Sequence, residues 1–381
     1  MHADQLSWSE STGWHPAKAD GAANLVLFFG TRQALACGNR YHELKGIFPH
    51  AHILGCSTGG QICNDEVNDD EIVAVALRFV DTRLRLAREP APGPEHSRKC
   101  GEAIGKAMLA DDLAGIFILS DGLNVNGSEL VAGITGVIGE RVPVTGGLAG
   151  DGALFQETLV GADSAPTSRI VGAVGFYGTA VRIGHGSAGG WDEFGPRRSI
   201  TRSRGNVLFE LDGKPALDLY ESYLGEDDVK GLPGTALLFP LRIRNPKRPD
   251  HDIVRTILAV DRAARSMTFA GDVPEGWVAQ LMRGNFERLA EGAAKAARQA
   301  AEQITEQTGD RIAVLVSCIG RRLLMGQHTV EEVEATGFEF GANVPRLGFY
   351  SYGEIAPHGV SGVCELHNQT MTITSISEAV G

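Results

Sequence analysis

Leu25-Val26-Leu27-Phe28-Phe29-Gly30, then Gly55-Cys56-Ser57-Thr58-Gly59-Gly60, then Ile72-Val73-Ala74-Val75-Ala76-Leu77-Arg78-Phe79: the reading of this chain turns on that stretch. It gives an apolar strand, a second strand ending in a glycine loop, and a third strand. Short apolar runs bounded by turn residues read as buried strands. The order then recurs. Residues 116–122, Gly146-Gly147-Leu148-Ala149-Gly150-Asp151-Gly152 and residues 170–177 make a second pass. Residues 312–320, Tyr350-Ser351-Tyr352-Gly353-Glu354-Ile355 and residues 370–376 make a third. Gly30 to Cys56 is 26 positions, and Gly122 to Leu148 is also 26. Equivalent units would gather their glycine loops at one end of their sheets, where α/β folds place ligands. The alternative is that strand–helix–strand–strand order is common in its own right.

Helices are predicted over 33–48, 96–110, 128–139 and 329–336, with the longest over 274–307. The fold class is therefore α/β (α+β layered), with mixed sheets covered by helices. The middle, about 180–262, changes character. Arginines cluster at Arg197, Arg198, Arg202 and Arg204 and again from Arg242 to Arg248, among turns, and this stretch reads as a link.

At 381 residues, two or three domains are expected. Lys plus Arg number 35 against 47 Asp plus Glu, a net charge of −12. That balance speaks against nucleic acid, which needs a concentrated positive face. No basic-then-apolar leader opens the sequence, and no apolar run approaches the ~18 residues of a spanning helix. A cytoplasmic protein without membrane insertion is expected. The six cysteines form no CxxC pair, which fits free thiols in a reducing compartment. The 49 glycines imply many tight turns or ligand-facing loops.

Gly55-Cys56-Ser57-Thr58-Gly59 matches G-x-S-x-G, but a nucleophile elbow needs a helix directly behind the serine. An acidic turn follows instead, so a ligand-facing or capping turn is the better reading. Gly184-His185-Gly186-Ser187-Ala188-Gly189 matches G-x-G-x-x-G without the helix that a dinucleotide site requires. His50/His52 and Cys364/His367 are the close ligand-like pairs, and neither has a second pair at zinc spacing. Cys318 ends a strand beside Arg321, whose planar fork suits a carboxylate; equally, the arginine pairs with an acidic neighbour. Tyr350, Tyr352 and Glu354 alternate on one strand and would share a face.

GCSTGGQI (55–62), GGLAGDG (146–152), the segment 191–225, SCIGRRLLMG (317–326), FYSYGEIAP (349–357) and CELHNQTMT (364–372) together resemble the FIST-domain proteins. The resemblance implies an N-terminal segment over 1–24, a FIST N-terminal module over 25–190, a linking segment over 191–225 and a FIST C-terminal module over 226–381. It implies a sensory or signal-transduction protein that binds a small ligand, amino-acid-like or another small anion. It also implies a partner, a histidine kinase or chemotaxis-type signalling protein. Some similar bacterial members are haem-containing nitric-oxide sensors, so haem is an alternative cofactor, with His367, His185 and His358 the histidines to test. A hydrolase using Ser57 or Cys318 is the second alternative, although no convincing catalytic constellation is expected. The nominated ligand contacts are Cys56, Ser57, Thr58, Gly59, Gly147, Gly150, Asp151, Cys318, Arg321, Tyr352, Glu354, His367 and Asn368.

Overall fold

The computed structural model describes residues 1–16, 21–248, 252–305, 308–359 and 362–379. Three mixed six-stranded sheets repeat one plan. In the first unit Leu25–Gly30 runs parallel to His52–Ser57 and antiparallel to Ile72–Arg78, with His2–Ser9 outside. In the second, Leu113–Ser120 lies between Val144–Leu148 and Ile170–Tyr177, with Arg83–Pro90 outside. In the third, Thr308–Cys318 lies between Arg346–Ser351 and Met371–Ala379, with Val181–Ala188 outside. The repetition in the sequence is therefore structural.

The units also exchange strands in a cycle. Val160–Ala162 of the second unit pairs with His52–Ser57 of the first. Gly353–Pro357 of the third pairs with Val144–Leu148 of the second, and Gln61–Cys63 of the first pairs with Arg346–Ser351 of the third. Each donated strand occupies an edge whose N–H and C=O groups would otherwise lack partners. The exchange closes the three units into a ring. Its inner core draws Leu27 and Phe29, Phe117 and Leu119, and Val314 and Phe349 from all three sheets. Phe29 stacks on Phe349 with centroids 4.7 Å apart. Every residue of Leu25–Gly30 is buried, which explains why that strand is apolar throughout instead of alternating.

Several sequence expectations need correction. The helix over 33–48 is two, Arg32–Ala36 and Asn39–Ile47, separated at Gly38, whose φ of +72° ends the first turn. The chain's opening residues are no mere leading segment: His2–Ser9 completes the first sheet. Of the stretch read as a link, Val181–Ala188 belongs to the third sheet, and from Trp191 on it is woven into a separate nine-stranded sheet, from Trp191–Glu193 to Val278–Gly284, around its own core of Ile200, Leu208, Ile243, Phe269 and Leu281. The arginines that made it look like a solvated link pair with acids along its strands, as Arg198 does with Asp212 and Arg242 with Asp252. The long helix is shorter, Phe286–Glu302, because Asn285 caps it by accepting from the Arg288 amide. No described helix is long and apolar enough to cross a membrane.

Candidate functional site

The first two strands of each unit run parallel, so their C-terminal ends lie at one end of the sheet. Here the exchange draws the three glycine-bearing turns together through a cycle of backbone hydrogen bonds. The Gly59 N–H donates to Tyr350 O at 2.7 Å, Gly150 N–H to Ser57 O at 2.9 Å, and Tyr352 N–H to Leu148 O at 3.2 Å. Each turn thus holds the next. On the outer side a cavity of about 440 Å³ remains, lined by Thr31, Arg32, Thr58, Gly59, Gly60, Asp151, Gly152, Ile319 and Arg322 among others.

Its charges are paired but partly open to solvent. Arg322 donates to Gly59 O, lies over the Tyr350 ring at 5.3 Å and meets Asp69 at 2.7 Å. Arg32 approaches Glu157 at 3.7 Å. Both guanidiniums have ion partners that are themselves half exposed or more, so an incoming carboxylate competes with a well-hydrated acid. Asp151 is committed to its own loop: it accepts from the amides of Phe155, Gln156 and Glu157 and from the Tyr352 hydroxyl. The Phe155 ring stacks on Tyr352 at 4.5 Å. Residues 153–157 are thereby folded against the cavity's edge.

The nominated residues divide into groups. Thr58, Gly59 and Asp151 line this cavity, and Gly150 and Tyr352 build its frame. Cys56 and Gly147 face the inner core instead: burial pushes the Cys56 thiol well up, and a Cβ at Gly147 would meet Val316. Ser57 is fully buried and its Oγ accepts from the Leu159 amide at 2.8 Å, a turn-holding role. Tyr350, Tyr352 and Glu354 do not share one strand. The chain leaves the third sheet at Ser351 and enters the second at Gly353, so the alternation breaks at Tyr352.

A second group lies deeper, under the third unit. Arg321 is wholly buried, makes a two-pronged pair with Glu332 at 2.7 and 2.9 Å, and donates to Gly189 O and Leu289 O. Its fork is spent on structure, so the expected anion clamp is overturned in favour of the acidic-neighbour alternative. Glu354 accepts from Ser351 and Thr370, and burial pushes its carboxyl up to about 8. The Cys318 thiol is raised, first by burial and then by Glu354. That is the opposite of an activated nucleophile. Asn368 is fully buried, and neither of its amide atoms has a partner among the described residues.

Of the histidines named for haem, His367 and His358 both engage backbone carbonyls through Nε2. His367 is buried, its Nε2 engages Ala356 O at 3.0 Å, and its ring stacks on His358 at 6.1 Å. The neighbouring cavity mixes the charged Arg242, Asp252, Arg288, Glu291 and Lys295 with the apolar Trp191, Ile253 and Met282. His185 sits mid-strand opposite Thr374.

Sequence reasoning missed Thr31, Arg32, Asp69 and Arg322. The Arg321-Arg322 doublet was the available signal: successive helical residues point about 100° apart, so one faces the core when the other faces out. Which one does so depends on Glu332, eleven residues on.

A family model described as the FIST N domain matches residues 24–214, and one described as the FIST C domain matches residues 216–357. An uncharacterized protein of Methanocaldococcus jannaschii is 23% identical over 334 residues, 80% of this chain. The match spans 62% of that relative's length. Among solved structures, the cyanuric acid hydrolase from A. caulinodans aligns over 100% of this chain and 99% of its own with a TM-score of 0.41 and 8% identity, a likeness too slight to carry an argument.

Proposed function

This chain belongs to the FIST family, whose domains are associated with sensory signal transduction and small-ligand binding, and on that premise we propose that it is a sensor whose ligand occupies the cavity at the ring of glycine turns. One observation carries the reading: three turns from three units fix one another by reciprocal amide–carbonyl bonds and leave a cavity edged by Arg32 and Arg322. The ligand is amino-acid-like or another small anion. Its carboxylate takes the guanidinium groups, and an ammonium group, where present, takes Asp69 or Glu157. The role is binding, not catalysis. Ser57 serves its turn, and the buried Cys318 thiol is held protonated.

The cavity joins loops of all three units, so a ligand that favours one arrangement of the loop 153–157 and the helix Ile319–Met325 shifts the population a partner reads. The partner we propose is a histidine kinase or chemotaxis-type signalling protein, in keeping with the family's association. Haem is the alternative reading; the engagement of His367 Nε2 with Ala356 O favours the small ligand.

The test is calorimetric titration with a panel of amino acids and small carboxylates. The reading expects one saturable ligand and a loss of about 10–100-fold in affinity for Arg322→Ala, the range for truncating charge-assisted hydrogen bonds. Undiminished binding by Arg322→Ala would remove the ligand from this cavity.

A further inference from the structure

A second cavity, also about 440 Å³, opens where the nine-stranded sheet meets the third unit. Its floor is the turn Gly189-Gly190. The Gly189 carbonyl accepts from the buried Arg321 at 2.6 Å, and Leu289 O accepts from the same guanidinium at 2.8 Å. In a trans peptide the N–H points opposite to the preceding C=O. With Gly189 C=O turned to Arg321, the Gly190 N–H points away from that guanidinium, and it has no backbone acceptor among the described residues. The turn has to be glycine: Gly190 sits at φ +110°, and a Cβ there would strike the Arg288 carbonyl. Across from it, Gly292 lets the helix Phe286–Glu302 press against Gly189 O.

That helix brings Arg288, Glu291 and Lys295 to the cavity. Arg288 also meets Asp192 at 3.0 Å. Lys295 is exposed and makes no ion pair among the described residues. From the facing sheet, Asp252 is engaged by Arg242 and Arg244. Glu291, one helical turn from both Arg288 and Lys295, is the one lining carboxylate without an ion partner among the described residues; it repels any anion, so the site tolerates a single carboxylate charge at most. The rest of the wall includes the apolar Trp191, Met282 and Ile253. Anion-seeking and apolar groups in one lining suit an amphiphilic guest.

We propose that this seam is a second binding site, for a small organic monocarboxylate, held by the Gly190 N–H, Lys295 and Arg288 with its apolar body against Trp191 and Met282. Arg321 acts as a positioning residue by orienting the peptide that presents the amide. The site does not depend on the cavity at the glycine turns.

The probe is sodium benzoate, titrated calorimetrically at constant ionic strength, with inorganic phosphate as the anion lacking an apolar body. The expected result is saturable one-to-one binding of benzoate, weaker binding of phosphate, a loss of about tenfold or more in Arg288→Ala/Lys295→Ala, and no change in Arg322→Ala. Thermal unfolding of the free double variant checks that it is folded, the expected outcome because both side chains are exposed. Absence of saturable benzoate binding, binding untouched by the double variant, or binding abolished by Arg322→Ala would each overturn the proposal. The last outcome would place the anion at the glycine turns.

Discussion

Replacing Glu354 by glutamine gives a measurable handle on the buried polar cluster beneath the third unit. The carboxyl keeps its proton in the fold up to about pH 8, against an ordinary 4.5 when exposed. Between those values the unfolded chain binds fewer protons than the folded one, so stability falls as pH rises. The contribution is complete below about pH 4.5 and gone by about pH 8. The slope is about 1.4 kcal/mol per pH unit, or about 4 kcal/mol between pH 5 and pH 8. Glutamine reproduces the neutral acid: its carbonyl can accept from the Thr370 amide and hydroxyl, and its NH₂ can donate to the Ser351 oxygen. Other titrating groups, including the half-buried His185 and the buried His367, are common to both proteins and cancel in the difference. Urea denaturation of both at pH 5, 6, 7 and 8 should therefore show Glu354→Gln gaining on the wild type by about 1.4 kcal/mol per unit. A difference that stays flat across this range would mean that the carboxyl is ionised in the fold, and the picture of a dry pocket would fail.

Arg321→Met strips the buried Glu332 of its ion partner, so urea unfolding should show a loss of about 3–5 kcal/mol, with part regained in Arg321→Met/Glu332→Leu. Tyr352→Phe removes the hydroxyl that joins Asp151 to Gly152 O, costing about 1–3 kcal/mol, and limited proteolysis should cut residues 153–157 faster. Gly60→Ala places a Cβ on the Arg322 guanidinium at a φ of +132°, for about 1–3 kcal/mol of strain. Calorimetry should show weakened ligand binding in that variant as well as lower stability.

The threefold plan was readable because each unit's central strands are buried on both faces and leave unbroken apolar runs, as in Leu25–Gly30. The strand exchange was not, because its donors are as short as Gln61–Cys63 and Val160–Ala162, and their pairing partners lie far away in sequence. The glycine turns announced themselves through backbone demands that few other residues meet. Side-chain direction did not: Arg321 and Arg322 differ only in which one Glu332 captures, a contact made by tertiary folding. The nine-stranded sheet was hidden by its arginines, whose partners, such as Asp212 and Asp252, declare themselves only when the strands are laid side by side.

Native mass spectrometry of the protein purified from its own host, beside its Arg322→Ala variant, weighs whatever the ring of turns retains. The account predicts a small-molecule adduct on the wild type that Arg322→Ala loses. An adduct of haem mass, or a small one that survives Arg322→Ala, would contradict it.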